Sequence, residues 1–169
     1  SKEARSLIQE IKERHTDNTL LQALASTSLN AGNEPDFVKK LKTRIAGKSP
    51  YSRELISKGA VIFRQLCSTC HGADGKGVKN KEHKMLAPPL YGSKRVAAAD
   101  RDVVIRILLH GLSGPVDDKT YPDVMPPMEA NDDEWIASVL SYVRYEFGDD
   151  ASTVRDDHVK DVRDQTAGR

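Results

Sequence analysis

Cysteine and aromatic residues are scarce in this 169-residue sequence, and long apolar runs are absent. With only two cysteines, the chain has no second pair to complete a four-ligand structural zinc site. No stretch reaches the roughly 18 apolar residues that a membrane-spanning helix needs. No signal peptide is recognisable at Ser1, where the sequence opens in helix-like residues, so we expect a mature form or a piece of a longer protein.

An excess of charge of either sign is also missing. The 26 basic and 25 acidic side chains leave a net charge of +1, which predicts no strong attraction to nucleic acid or to an anionic membrane. Aromatic residues make up only 5% of the sequence, so the side chains alone predict a core with little aromatic surface. No alternation of apolar and polar residues is long enough to predict a β-strand.

One stretch, by contrast, carries its chemistry in consecutive residues: Cys67-Ser68-Thr69-Cys70-His71. Two thiols at this spacing on a helix end can add to the two vinyl groups of one haem, and the next residue then places an imidazole beneath the iron. We therefore predict one haem c, attached covalently through Cys67 and Cys70, with His71 as the proximal iron ligand. The macrocycle would supply the apolar core surface that the aromatic side chains lack.

Other interpretations of the two cysteines are weaker. A redox dithiol is expected in a βαβ context and gives His71 no role. Half of a zinc site would need further ligands, and a disulfide closing so short a loop would add little stability.

Helical periodicity and capping residues predict an all-α chain. Residues 1–47 are expected to form three short helices that connect domains or end a helical repeat: one over 2–14, one after a cap at Asp17 or Asn18, and one over 34–47. Residues 48–50 are predicted to be a linker. Further helices are predicted over 52–66, 101–110, 134–147 and 156–165.

Glycine inside the predicted helix 52–66 indicates a close helix crossing. Gly59 costs this helix about 1 kcal/mol relative to alanine, so we expect another helix to approach it closely. Phe63 lies four residues further on the same face, and Tyr142 of the predicted helix 134–147 is placed to meet both.

The segments after the cysteine motif differ in character. Residues 72–77 are rich in glycine and are predicted to turn the chain. Residues 78–86 are basic, which predicts a solvated face, with a docking patch for an electron-transfer partner as the alternative. Pro88 and Pro89 exclude helix, and an extended segment there suits a pocket wall.

A second axial iron ligand is needed beside His71. We favour Met125, because a thioether ligand raises the reduction potential and because Pro126 and Pro127 stiffen its loop. Met128 is the rival, with pocket lining as its simpler role. His110, at a helix end, is predicted to be a hydrogen-bonded structural histidine. The remaining candidates, which we rank lower, are Met85, His15, His83 and His158.

Taken together, these motifs resemble class I cytochromes c over about residues 52–148. The resemblance is carried by the helix-crossing residues Gly59, Phe63 and Tyr142, by the cysteine motif, by Pro88-Pro89-Leu90-Tyr91-Gly92 and by Met125-Pro126-Pro127. It implies that the Pro88 carbonyl accepts a hydrogen bond from the ring N–H of His71.

The fold that the resemblance implies is the class I cytochrome c fold with an added N-terminal helical segment and a short C-terminal helix. The corresponding parts are residues 1–47, a cytochrome c domain over 48–148, and a helical tail over 149–169. Arg95, Tyr121 and Trp135 are our candidates for binding the haem propionates.

A narrower resemblance rests on Leu108-Leu109-His110-Gly111-Leu112-Ser113-Gly114-Pro115-Val116, on residues 135–144, on Phe147-Gly148 and on the Val-Arg tail. These stretches are similar to haem-binding domains of planctomycete and verrucomicrobial multidomain proteins, which resemble C-terminal cytochrome domains attached to dehydrogenases. The similarity implies a fused or partner dehydrogenase as electron donor. Export to the periplasm is implied by the resemblance of the C-x-x-C-H site to that of bacterial c-type cytochromes.

The function predicted from the sequence is therefore non-enzymatic electron transfer by a single haem with His71 and Met125 as axial ligands. One alternative is a haem enzyme or gas-binding module whose sixth coordination position is open or labile. Another is an interaction module, in which residues 1–47 hold a dehydrogenase and the haem is partly structural.

Overall fold

The computed structural model of the protein describes Ser6, Gln9, Glu10 and residues 34–167. The chain divides into two compact units, Ser1–Thr43 and Arg44–Arg169. Of the predicted helix over 2–14, only Ser6, Gln9 and Glu10 are described, and these are helical. The predicted helix after Asp17 or Asn18 lies outside the described residues.

The all-α prediction is confirmed for the described residues, which contain isolated β-bridges but no β-strand. A π-helical turn, Phe63–Cys67, separates the second and third α-helices. No helix in residues 34–167 is both long and apolar enough to cross a membrane. The α-helices are α1 (Asp36–Arg44), α2 (Pro50–Ile62), α3 (Ser68–His71), α4 (Lys94–Ala97), α5 (Asp102–His110), α6 (Asp133–Phe147) and α7 (Asp156–Thr166).

The start of α2 corrects one prediction. Lys48 and Ser49 lie between α1 and α2 as predicted, but Pro50 is already the first residue of the helix, two residues before the predicted start at 52. The Ser49 hydroxyl accepts a hydrogen bond from the Ser52 backbone N–H at 3.1 Å. Serine before the first turn and proline within it are the residues that favour a helix start. The same logic applies at α6, where the Asp132 carboxylate accepts from the Trp135 N–H at 2.8 Å.

The predicted crossing of α2 and α6 is confirmed. A Cβ atom placed on Gly59 would lie 1.9 Å from the carbonyl oxygen of Ser138, so only glycine permits this approach. Beside the crossing, Phe63 packs against Tyr142 and Phe147 with ring centroids 5.5 and 5.2 Å away. Three of the nine aromatic side chains of the sequence therefore pack together where the two longest of the described helices meet.

The C-terminal helix α7 packs against the ends of α5 and α6. Val159 and Val162 are buried, as is Val154 in the preceding segment, whose N–H and C=O both bond to the Ser141 hydroxyl of α6. Arg163 of α7 donates to the Asp133 carboxylate and to the carbonyl oxygens of Glu129 and Asn131 at 2.6–2.8 Å. The tail therefore fixes the segment that leads into α6.

Candidate functional site

The two cysteines lie at the junction between the π-helical turn and α3. Within the π-turn the Ser68 N–H bonds to the Phe63 carbonyl, five residues back, so the helix is locally wider than an α-helix. Cys67 ends the π-turn, and α3 carries Cys70 and His71. Such widened turns occur often at functional sites, and this one sets the direction of both thiols.

The chain after α3 folds back on it. Gly77 N–H donates to the His71 carbonyl at 2.7 Å, and Val78 N–H donates to the Cys70 carbonyl at 3.0 Å. The Gly75 carbonyl in turn accepts from the N–H groups of Leu90 and Tyr91 at 2.7 and 3.0 Å. These bonds place the extended proline segment beside the end of α3.

That placement puts the Pro88 carbonyl oxygen 3.1 Å from Nδ1 of His71. Since a carbonyl only accepts, Nδ1 carries the proton and Nε2 is left with a free lone pair. Burial lowers the pKa of His71, although the bond to Pro88 partly opposes the effect. The imidazole is thus held neutral and oriented, which is the state that ligates a metal.

An apolar cavity of about 260 Å³ brings the predicted site residues together. It is lined by Cys67, Cys70, His71 and Pro88, and also by Met125 and Met128 from a later segment of the chain. Its other walls are mainly aliphatic, formed by Leu66, Leu86, Val96, Val104, Ile107, Leu108, Leu112, Val116, Val124, Val139, Leu140 and Val143.

Backbone hydrogen bonds fix the loop that carries Met125. Met125 and Leu112 exchange two N–H···O bonds of 3.0 and 3.1 Å as an isolated antiparallel bridge. Gly111 allows this pairing, since a Cβ there would lie 2.5 Å from the Met125 carbonyl oxygen. Three residues on, Met128 N–H donates to the Leu108 carbonyl of α5 at 2.9 Å. The same elements therefore place both thioethers at the cavity.

The other predicted ligand candidates are placed elsewhere. His110 hydrogen-bonds through Nε2 to the Thr166 hydroxyl at 2.7 Å, which confirms the prediction of a hydrogen-bonded histidine. His158 bonds to Arg101 at 3.1 Å through Nδ1, and His83 lies exposed in the basic turn. Met85 does not line the cavity, and His15 lies outside the described residues.

Of the three candidates for a carboxylate-binding role, Arg95 and Tyr121 line the cavity and Trp135 does not. Arg95 donates two hydrogen bonds of 2.8 and 2.9 Å to Asp117. This pairing raises the pKa of Arg95 and lowers that of Asp117. Any anion that bound Arg95 from within the cavity would share it with Asp117.

Sequence reasoning missed Asp117 as a partner of Arg95. Asp117 and Asp118 both have positive φ, 51° and 61°, and form the two-residue turn between Val116 and Lys119, which pair as a bridge. Aspartate is among the residues that tolerate this conformation, so the Asp-Asp pair was the available signal. The bridge between Leu112 and Met125 left no comparable signal.

The geometry also bears on the competing interpretations of the cysteines. Burial raises the pKa of the Cys67 thiol to about 11, with Cys70 adding to the effect, whereas thiols of redox dithiols have lowered pKa values. Within the described residues, no three His, Cys, Asp or Glu side chains are grouped so that they could hold a metal ion. Neither a redox dithiol nor a structural zinc site is supported.

Two thiols, an oriented imidazole and two thioethers around an apolar cavity fit a haem that is attached at its edge and ligated through its iron. The thiols can form thioether bonds, His71 Nε2 can bind iron on one face, and a methionine sulfur can bind it on the other. The aliphatic walls would exclude water from the macrocycle.

Comparisons with known proteins agree with this chemistry. The family model described as cytochrome c matches residues 56–145. The chain is 31% identical over 111 residues to the fructose dehydrogenase cytochrome subunit of Gluconobacter japonicus, covering 62% of this chain and 22% of that subunit. It is 28% identical over 102 residues to the cbb3-type cytochrome c oxidase subunit FixP of Azorhizobium caulinodans, covering 60% of this chain and 32% of that subunit. The chain thus spans less than a third of the length of either curated relative.

Proposed function

The chain belongs to the cytochrome c family, and we propose that residues 48–148 form a single-haem electron-transfer domain. The observation that carries the proposal is the shared cavity, in which Cys67, Cys70 and an imidazole oriented by Pro88 face the same apolar space as two methionines. When bound, haem c supplies a ferric/ferrous couple that takes up and releases one electron.

We assign covalent attachment to Cys67 and Cys70, and axial ligation to His71 and Met125. Backbone hydrogen bonds do not separate the two methionines, because Leu112 holds the N–H and C=O of Met125 while Leu108 and Asn131 hold those of Met128. Met125 is favoured because Pro126 and Pro127 follow it directly, stiffen its loop and match the Met-Pro ligand loop that the resemblance to class I cytochromes c implies.

The remaining cavity residues have supporting roles. Pro88 holds the His71 ring in one tautomer and one orientation, which strengthens the free nitrogen as a ligand. The aliphatic walls exclude water and favour the less charged, reduced centre. Arg95, Tyr121 and Trp135 are the proposed donors to the propionates. Arg95 and Tyr121 line the cavity, whereas Trp135 would donate from outside its lining.

The proposed electron donor is a dehydrogenase, fused to this chain or bound to it. Its support is the similarity to a cytochrome subunit of a dehydrogenase, together with the resemblance to planctomycete and verrucomicrobial multidomain proteins. We further propose that the protein acts in the periplasm or another exported location. Residues 1–47 would serve as the connection to the partner, and residues 149–169 as a helical tail.

The deciding experiment is the absorption spectrum of the haem-loaded protein in both oxidation states, compared among wild type, Met125→Ala and Met128→Ala. We expect the weak red charge-transfer band of methionine-ligated ferric haem in wild type and in Met128→Ala, and its loss in Met125→Ala. Intact mass after denaturation should include one haem, because thioether bonds survive unfolding.

Two outcomes would overturn parts of the proposal. If the band disappears in Met128→Ala and persists in Met125→Ala, the ligand assignment is wrong. If the wild-type ferric protein is high-spin and binds cyanide rapidly without denaturant, or the ferrous protein binds carbon monoxide rapidly, the domain is a haem enzyme or gas-binding module and not an electron carrier.

A further inference from the structure

An arginine is completely buried beside the cavity. Arg144 of α6 has 0% of its surface exposed, and its neighbour in sequence, Val143, lines the cavity wall. Full burial of an arginine is rare and costly unless the charge is paired or fully hydrogen-bonded, because the guanidinium leaves water. The position therefore calls for an explanation beyond packing.

The hydrogen bonds of Arg144 go to neutral acceptors. Nε donates to the Ser152 carbonyl at 2.8 Å, Nη1 to the Val96 carbonyl at 2.8 Å and Nη2 to the Ser152 hydroxyl at 3.2 Å. Across residues 34–167, none of the ion pairs between basic and acidic side chains includes Arg144. Each of its three nitrogens has an acceptor, but no acidic side chain in this range neutralises its charge.

A second positive charge lies near Arg144. Burial lowers the pKa of Arg144, and the cation of Arg101 lowers it further. Arginine nevertheless keeps its proton in proteins. A positive charge is thus fixed in a region that already contains a second one.

The contact with Val96 links this charge to the cavity. Val96 lies in α4, its side chain lines the cavity, and its carbonyl accepts from Nη1 of Arg144. Arg95, the next residue back, also lines the cavity. The guanidinium therefore contacts the backbone of one cavity-lining residue, Val96, and follows another, Val143, in sequence.

We propose that the buried positive charge of Arg144, which no acidic side chain of residues 34–167 pairs with, raises the reduction potential of the haem centre. The inference rests on the proposed haem c site. Reduction adds one electron from a donor to the ferric centre and lowers its charge by one, so a fixed positive charge nearby favours the reduced state. The effect is strong in the interior because the effective dielectric constant there is far below that of water.

Position 152 offers a way to neutralise this charge without touching the arginine. Ser152 is exposed and its hydroxyl meets Nη2, so an aspartate there would form an ion pair with Arg144. Ser152→Asn is the matched control, because it has nearly the same shape and no charge. We expect spectroelectrochemical titration of the haem-loaded chain to give a lower midpoint potential for Ser152→Asp than for Ser152→Asn.

Substitution of the arginine itself supplies a second comparison. Arg144→Met should lower the midpoint potential, and Arg144→Lys, which keeps the charge, should stay closer to wild type. Arg53→Gln removes one exposed charge from the first turn of α2 and should give a smaller shift that vanishes at high salt. The shift from Ser152→Asp should be reduced less by salt, because its partner Arg144 is buried although position 152 is exposed.

The outcomes are separable. If Ser152→Asp and Ser152→Asn have equal potentials while their spectra match wild type, or if Arg144→Lys falls as far as Arg144→Met, the charge of Arg144 does not set the potential. If wild type itself carries no haem or lacks methionine ligation, it is the proposed function that fails.

Discussion

Gly59 lies where α2 crosses α6, and its missing side chain sets how closely the two helices approach. The nearest atoms to a Cβ at this position belong to the backbone of Ser138, which cannot rotate aside. The same crossing brings Phe63 against Tyr142 and Phe147. One residue therefore determines the packing on which the cavity wall of α6 depends.

Replacing Gly59 with alanine should lower the free energy of unfolding by roughly 1–3 kcal/mol, the usual cost of overpacking. The gain of about 1 kcal/mol in helix propensity does not compensate, because the clash is with backbone. Urea unfolding measures the change. Gly47→Ala is the control, since a Cβ at Gly47 meets no atom within 4 Å and should leave stability nearly unchanged. Equal stability of the two variants would contradict the close crossing.

At the level of single residues, the cysteine motif and the approach of Tyr142 to Gly59 could be predicted from local sequence patterns. Pro88 as the neighbour of His71 was implied by the resemblance to class I cytochromes c, and the structure places the two at 3.1 Å. The partner of Arg95 and the role of Arg144 did not follow, because both depend on distant segments that only the fold brings together. The predicted linker was one residue too long, because Pro50 occupies the first turn of α2, where proline is favoured.

Among the elements, the segment from the end of α5 to Met125 matters most for the proposed second iron ligand. Gly111 ends α5 with φ of +79°, and its lack of a side chain leaves room for the Met125 backbone to pair with Leu112. The methionine is thus held by a bridge between two loop segments. No hydrophobic pattern in the sequence indicated that bridge, because a single residue pair has no periodicity.

Gly111→Ala should displace Met125 and weaken the red charge-transfer band of the ferric protein. A Cβ at this position would lie 2.5 Å from the Met125 carbonyl oxygen. Gly114→Ala is the control that separates this clash from backbone strain. Gly114 also has a positive φ, +88°, but a Cβ there meets nothing within 4 Å. Both variants should lose about 1–2 kcal/mol of stability from strain. Only Gly111→Ala should change the spectrum; an unchanged band would exclude the bridge as the device that positions Met125.

Over the whole of Arg44–Arg169, the C-terminal tail binds together segments that are far apart in sequence. Arg163 holds the carbonyls of Glu129 and Asn131, while Thr166 meets His110 at the end of α5. The sequence predicted the helix of this tail to within one residue, at 156–165. The sequence did not predict the contacts of this helix, because Val159 and Val162 indicate a buried face but not which residues cover it.

The stability of the whole molecule should also depend on alkaline pH through Tyr142. Burial, with the nearby carboxylate of Glu146, raises the pKa of this phenol above its ordinary value. The folded state therefore favours the protonated form. Its contribution to stability is complete below about pH 10, the unfolded value, and is lost as pH rises through the folded-state pKa.

We expect the free energy of unfolding to fall less steeply above about pH 10 in Tyr142→Phe than in wild type. Urea titrations at a series of alkaline pH values measure both slopes. Tyr91→Phe is the control, because the Tyr91 ring is 60% exposed, and it should follow the wild-type curve. Parallel curves for Tyr142→Phe and wild type would show that the buried phenol does not contribute.

The π-helical turn at Phe63–Cys67 has a consequence for how this chain can vary in length. Each residue of an α-helix adds about 100° of rotation, so the interval from Gly59 to Cys67 defines a rotational phase between the helix crossing and the thiols. Inserting or deleting one residue there would turn both thiols away from the cavity, even if every other residue stayed the same. The basic turn over 78–86 has no such phase to preserve. Length variation in evolution should therefore accumulate in that turn and be excluded between the crossing and the cysteines.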